Sequence, residues 1–271
     1  MKKWGNIALV KFVLHWTRYF TRCLVSCLAF CTLFANTSVA AEQQLMQQQI
    51  YRVGVEDIDY YPMYSNKSAL DNPGFLIDVL EIFAKQHNIK FEYIHLPTTR
   101  FHEWYQKEDI DFRLPDHSLW NSGNEGLVFS DDIINLRADT VVLKENRKLP
   151  ESEIRTLGTL YGFIPGPQWA SRIEKNSIEF VYEGSIRVLI RMLKKGLIDG
   201  LDLNIHVVKH YATELGYNAN DFALAKHAPS TQFSYQLSTT SHPDIIRQFD
   251  AFLENAKNEI AALKRANNIY N

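Results

Sequence analysis

What this chain lacks narrows it first. Its only cysteines are Cys23, Cys27 and Cys31, all near the N-terminus. The rest of the chain offers no thiol for a disulfide, a nucleophile or a metal site. No Gly-x-Ser-x-Gly, no P-loop and no His-Glu-x-x-His occurs, so the common hydrolase, nucleotide and zinc-protease signatures are absent. Beyond the first forty residues no apolar run is long enough to span a bilayer. The nine histidines show no metal-ligand spacing. His206 and His210 stand four apart on an expected helix but have no evident third ligand, so no metal and no cofactor is expected. An excess of basic charge is missing too: 29 Lys and Arg face 31 Asp and Glu.

The first forty residues stand apart. Lys2, Lys3, Lys11, Arg18 and Arg22 are basic with no acid among them. Cys23 to Phe34 is a short apolar run, and Ser38-Val39-Ala40 supplies small residues. This reads as a signal peptide over 1–40, cut after Ala40 or Ala41, with an uncleaved anchor as the alternative. Leu24-Val25-Ser26-Cys27 also resembles a lipobox, but little apolar sequence precedes it. Removing the signal leaves 24 basic against 31 acidic residues, a net charge of −7. That argues against nucleic acid or anionic lipid as a partner.

The stretch from Pro73 to Pro97 organises the remainder. Pro73-Gly74 marks a turn. Phe75, Leu76, Val79, Leu80 and Phe83 recur at helical spacing, Asn88 offers a left-handed stop, and Phe91, Tyr93 and His95 alternate as in a strand. With the strand Tyr51 to Val55, this is a βαβ unit, whose ligands lie at the carboxyl ends of the strands. Upstream, Glu42 to Gln49 reads as a flexible leader. Downstream, Thr98 or Thr99 is expected to cap a helix through Lys107, with strands at Ile110 to Leu114, Leu127 to Ser130 and Ala138 to Leu143. After a charged segment, Lys144 to Glu153, strands are expected at Thr156 to Leu160, Ile178 to Tyr182, Ile198 to Leu203, Phe222 to Ala225 and Phe233 to Ser238. Helices are expected over Gln168 to Lys175, from a Ser185 cap to Gly196, over Ile205 to Leu215, over Pro243 to Lys257 and over Glu259 to Ile269. One echo stands out. Trp104 to Phe112 and Met192 to Gly200 share a layout, a helix end and a turn, then Ile-Asp entering a strand. Two similar halves are implied.

Six segments, in order, resemble the extracellular solute-binding proteins of family 3, the periplasmic components of polar amino-acid ABC importers. They are Tyr51-Arg-Val-Gly-Val, Gly74-Phe-Leu-Ile-Asp-Val-Leu, Ile110-Asp, Phe129-Ser-Asp, Leu193-Lys-Lys-Gly-Leu-Ile-Asp-Gly and Leu237-Ser-Thr-Thr-Ser-His-Pro. The resemblance spans about residues 50 to 271. It implies a two-lobe α/β type II periplasmic-binding-protein fold, each lobe a mixed, mostly parallel sheet flanked by helices, with the ligand cleft between. Lobe 1 would comprise 50–142 plus 228–271, and lobe 2 would comprise 143–227. It further implies a periplasmic monomer that hands a small polar solute to an inner-membrane ABC permease. Docking to a membrane receptor, or a cyclohexadienyl-dehydratase activity as in some relatives, are the alternatives. For the latter Asp57, Asp116 or His117 would carry protons.

The expected ligand-binding residues follow from this cleft. Asp57, Asp59, Tyr60 and Tyr61 follow the first strand, and Phe75 opens the first helix; aromatic walls with a few polar groups suit small ligands. Asp116, His117, Ser118 and Trp120 occupy the loop in which the family places a carboxylate-binding arginine, which is absent here. Arg113 or Arg137 could substitute. Phe163 and Gln168, in a Gly-rich loop with Gly162 and Gly166, precede a helix start suited to anions. Asn204 stands nearest the family's ammonium-binding aspartate, with Asp202 two residues earlier. Asp111 and Asp199 read as structural, satisfying backbone groups in their turns, and Arg100 as structural within lobe 1.

Overall fold

The computed structural model describes residues 48–66, 72–121 and 126–270. The expected signal and most of the Gln-rich leader lie outside them. In chain order the elements are β1 (Gln49–Glu56), α1 (Phe75–Gln86), β2 (Ile89–Leu96), a 3-10 segment (Thr98–Glu103), α2 (Trp104–Lys107), β3 (Phe112–Asp116), β4 (Val128–Phe129), β5 (Ile134–Ala138), β6 (Val141–Leu143), β7 (Thr156–Leu160), α3 (Ala170–Glu174), β8 (Glu179–Glu183), α4 (Ile186–Lys194), β9 (Gly200–Leu201), α5 (Ile205–Glu214), β10 (Phe222–Leu224), β11 (Thr231–Thr239), α6 (Pro243–Asn255) and α7 (Lys257–Ala266).

These strands form two mixed sheets. The first runs β2-β1-β3-β11-β4, with β5 paired to β11; the second runs β10-β6-β9-β7-β8. β1 and β3 are parallel, as are β7 with β8 and with β9. β11 runs antiparallel to β3, β4 and β5. The β-prone run at Ala138 to Leu143 is therefore not one strand. It breaks at Asp139 and Thr140 because β5 pairs in the first sheet and β6 in the second, so the chain crosses between halves there.

The two halves repeat one junction. Asp111 Oδ2 accepts the Arg52 N–H at 2.7 Å, one residue before the paired Val53 and Phe112. Asp199 Oδ2 accepts the Arg155 N–H at 2.8 Å and the Thr156 N–H at 2.9 Å, one residue before the paired Leu157 and Gly200. In each half the aspartate caps the incoming edge of the parallel neighbour, satisfying donors that the ladder leaves open.

Apolar periodicity places the helices. α1 buries Phe75, Leu76, Val79, Leu80 and Phe83, and Phe83 meets Phe249 and Phe252 of α6, with ring centroids 5.1 and 5.6 Å away. α4 buries Ile186, Leu189, Ile190 and Leu193. Each such side chain contributes roughly 1.5–3 kcal/mol of burial. Two helices are shorter than expected. Trp104 is buried and donates its indole N–H to Pro97 O at 3.1 Å, which draws residues 98–103 into a 3-10 turn with a non-helical kink at Arg100. Neither threonine caps it. Buried Trp169 likewise closes a 3-10 turn, Pro167–Trp169, before α3. Ser185 occupies the start of α4 but makes no side-chain cap bond.

Candidate functional site

The loop after β1 is held by its own backbone. The first N–H groups of α1 need acceptors, and Phe75 N and Leu76 N donate to Pro62 O and Met63 O, each at 2.9 Å. Gly74 makes this approach possible. Its φ is +96°, and a Cβ there would lie 2.7 Å from the Tyr64 backbone, so only glycine fits. Phe75 itself is fully buried and belongs to the core rather than to a cleft.

Anchored in this way, the loop reaches the second half. The Tyr60 hydroxyl accepts the Asn204 N–H at 3.0 Å. The Tyr60 ring lies edge-on to Phe163, 5.5 Å between centroids. Tyr211 of α5 donates to Asp59 O at 2.7 Å, while Arg187 of α4 approaches the Asp59 carboxylate at 3.9 Å and pairs with Glu214. Ser65 donates to Asp59 Oδ1 at 2.8 Å. Tyr61 packs on the His210 ring, centroids 4.5 Å apart. Gly162, at φ +87°, touches the Thr98 backbone closely enough that a Cβ would lie 2.8 Å from it. The two halves thus meet at the carboxyl ends of β1 and β7, where such folds hold ligands.

A continuous series of mostly buried rings runs from this junction into the core. From Tyr60 the wall passes to Tyr64 at 5.3 Å, then to Tyr235 at 6.3 Å, then to Phe233 at 5.5 Å and Trp120 at 6.1 Å. His117 lies 5.9 Å from Trp120; burial lowers its pKa against the opposing pull of Asp132 and Asp116, and its Nδ1 accepts the Leu119 N–H at 3.0 Å. Two carboxyls sit against the wall. Glu56, buried, accepts the Tyr64 hydroxyl proton, and burial pushes its pKa up to about 7 despite that bond. Burial also pushes Asp202 up to about 6. Asp202 acts on Tyr60 and on Tyr182, and among the described residues its hydrogen bonds involve its backbone, Asp202 N donating to Gly158 O and Asp202 O accepting the Thr159 hydroxyl.

Several expected residues are placed elsewhere. Asp116 is wholly buried and saturated. It takes Arg113 Nε at 2.8 Å, Asn121 Nδ2 at 2.7 Å, its neighbour's His117 N–H at 2.6 Å and the Ser238 hydroxyl. Arg113, equally buried, also donates to Phe101 O at 2.9 Å and lies over the Phe101 ring at 4.0 Å. This pair is scaffold beneath the cleft, with no valence left for a ligand. Arg137 lies on the crossing strand β5 and bonds Ser230 at 2.6 Å and Asp139 at 3.2 Å. Gln168 folds back toward Ala138 O at 3.4 Å, and α3 beyond it has only five residues, too few for an anion-binding dipole. Asn204 caps α5 through His206 N at 2.9 Å. Asp57 is exposed and bonds Asn66 at 3.0 Å; Ser118 is exposed in a 3-10 turn. Glu56, Tyr64, Phe233 and Tyr235 were not expected at all. Glu56 ends β1, Tyr64 lies in the loop that follows, and Phe233 and Tyr235 lie within β11, where residues alternate between faces and a one-residue register error hides which side chain faces in.

No family model matches the chain, and no curated protein matches it in sequence. Solved structures do. An ancestral arginine-binding protein bound to arginine aligns with a TM-score of 0.63 at 18% identity, over 81% of this chain and 98% of that one. An ABC uptake transporter substrate-binding protein from Streptococcus pneumoniae with bound histidine gives 0.63 at 14%, over 80% and 92%. AncCDT-1, an ancestral amino acid-binding protein and precursor of cyclohexadienyl dehydratase, gives 0.62 at 15%, over 83% and 98%. The fold is that of the two-lobe type II binding proteins. The aromatic junction lies where the two halves of this fold meet, at the carboxyl ends of β1 and β7. An open groove of about 990 Å³ lined by Glu151, Arg155, Arg172 and Glu179 lies instead at the amino ends of β7 and β8, away from the carboxyl-end cleft. Among the described residues no helix is long and apolar enough to cross a membrane.

Proposed function

We propose that this chain is an exported solute-binding protein that captures a small polar solute between its lobes and delivers it, as a monomer in the periplasm, to an ABC permease. The division into 50–142 plus 228–271 and 143–227, the N-terminal signal and the closing hinge are parts of this reading. The observation that carries it is the meeting of the β1 loop with the start of α5 and the Gly162 loop, a junction walled by rings and carboxyls. Ligand would hold the halves together by binding the closed arrangement more tightly than the open one. Thermal-shift screening of the purified protein against amino acids, amines and organic acids is expected to give at least one clear stabiliser, because a ligand of the folded form raises Tm. A flat response across the whole panel would refute the reading.

Glu56 supports a second reading. A buried carboxyl with a pKa near 7 suits general acid–base work, as a dehydratase of this fold would require. Prephenate or arogenate consumed by wild type and spared by Glu56→Gln would favour it over binding alone.

A further inference from the structure

The first half offers one short loop to the second, and the second grips it with groups of its own. Asp59 to Tyr61 follow β1, and the groups that meet them come from α4, from α5 and from the loop after β7. Tyr211, buried in α5, donates its hydroxyl proton to Asp59 O at 2.7 Å. The Asn204 N–H, at the start of that helix, donates to the Tyr60 hydroxyl at 3.0 Å. Tyr60 is buried too, its ring edge-on to Phe163 at 5.5 Å. Tyr61 packs on the His210 ring of α5, 4.5 Å between centroids. Arg187 of α4 stands over the Tyr211 ring at 4.4 Å, with the Asp59 carboxylate 3.9 Å away and Glu214 paired to it.

The two hydroxyl bonds are reciprocal. One tyrosine comes from each half, one accepts and the other donates, and each bonds a backbone group of the opposite half. A bond to backbone fixes where the halves meet, because its partner has no rotamer to swing away with. Both rings are withdrawn from water, where a hydrogen bond is electrostatically stronger than at the surface. The loop is also shaped in advance. Tyr60 N donates to Tyr64 O at 3.1 Å, and Ser65 holds Asp59 Oδ1 at 2.8 Å. Little ordering remains when the halves engage, and a preorganised contact is a stronger one. Every partner in this set belongs to the chain itself.

Resting on the hinge of the binding-protein reading, we infer that Tyr60 and Tyr211 form a latch that keeps the two halves together in the absence of solute. A solute then finds the competent arrangement already populated, and its apparent affinity is not lowered by a scarce closed form. A partner that recognises the joined halves would meet them with or without solute, so closure alone would not report loading.

Small-angle scattering tests this on the purified protein, refolded from denaturant to remove any solute, beside the Tyr60→Phe/Tyr211→Phe double variant. The double substitution removes both hydroxyls and keeps both rings in place. Solute-free wild type is expected to scatter as the joined arrangement does. The double variant is expected to show a larger radius of gyration, its ratio of joined to parted molecules falling on the order of tenfold or more for two lost hydrogen bonds. Tyr93→Phe loses a hydroxyl bond to Glu81 inside the first half and is expected to keep the wild-type radius. Should the double variant fail to fold, Tyr60→Phe alone decides. In solute-free protein its Asn204 amide is expected to exchange with solvent deuterium at least tenfold faster than in wild type. A solute-free wild type that is already expanded, or a double variant as compact as wild type, overturns the inference. Equal Asn204 exchange in wild type and Tyr60→Phe overturns it as well. These outcomes leave the solute-binding reading standing, since that reading is judged by the thermal-shift panel of amino acids, amines and organic acids.

Discussion

Glu56 shows how one residue's surroundings set its chemistry. Its carboxyl is buried beside Tyr64, Tyr60, Tyr235, Asp116 and Arg113, and burial outweighs the Tyr64 bond and the Arg113 charge to raise its pKa from an ordinary 4.5 to about 7. The folded state therefore keeps the proton to a higher pH than the unfolded chain does. The stability this provides is full below about pH 4.5 and is lost as the pH rises through about 7. Glu56→Gln is expected to abolish that dependence, gaining about 3 kcal/mol on wild type between pH 4.5 and 7.5. Urea unfolding of both proteins at several pH values checks it, and stability curves that stay parallel would contradict it. Residue chemistry was the least legible part of the sequence. The acids after the first strand and at Asp116 are visible there as charges, but whether a carboxyl is saturated, as Asp116 is by five donor groups, or lacks side-chain hydrogen bonds among the described residues, as Asp202 does, depends on Ser238 and Asn121, on Tyr60 and Tyr182. Most of these are distant in the chain.

Elements were far more legible, because their signals are local. The apolar spacing of α1 and α4 and the positive φ of Asn88 follow from the chain directly. Legibility failed where a single large side chain overrode local preference, at Trp104 and Trp169, and where one β-prone run serves two sheets. The Ile-Asp echo turned out to have a geometric cause. Both aspartates tie the entering edge of a parallel strand pair, and this yields a prediction. Asp199→Ala leaves the Arg155 and Thr156 N–H groups and the Thr156 hydroxyl without their acceptor, with an expected cost of about 1–3 kcal/mol. Chemical denaturation measures it. A loss under about 0.5 kcal/mol, typical of an uninvolved surface site, would show the repeat to be ornamental.

At the scale of the whole molecule, the contact between Gly162 and Thr98 joins the halves on the least tolerant footing, backbone to backbone. Gly162→Ala adds a Cβ 2.8 Å from Thr98 on a backbone at φ +87°. The variant is expected to fold but to rest with its halves further apart, giving a larger radius of gyration in solution scattering and a ligand affinity lowered tenfold or more. An unchanged radius together with unchanged affinity would mean that the halves are held by other contacts. The two-lobe fold could be expected from the sequence; this degree of intimacy could not, since it joins residues more than sixty positions apart.

The route of the chain through the first sheet has a temporal side. β11 is inserted between β3 and β4, yet it is drawn from Thr231–Thr239, whereas every strand of the second sheet comes from between Val141 and Leu224. A chain emerging amino end first can therefore finish its middle while its beginning is still incomplete. The N-terminal strands must wait, with β3 missing a partner, until the last fifth of the polypeptide arrives to close the gap.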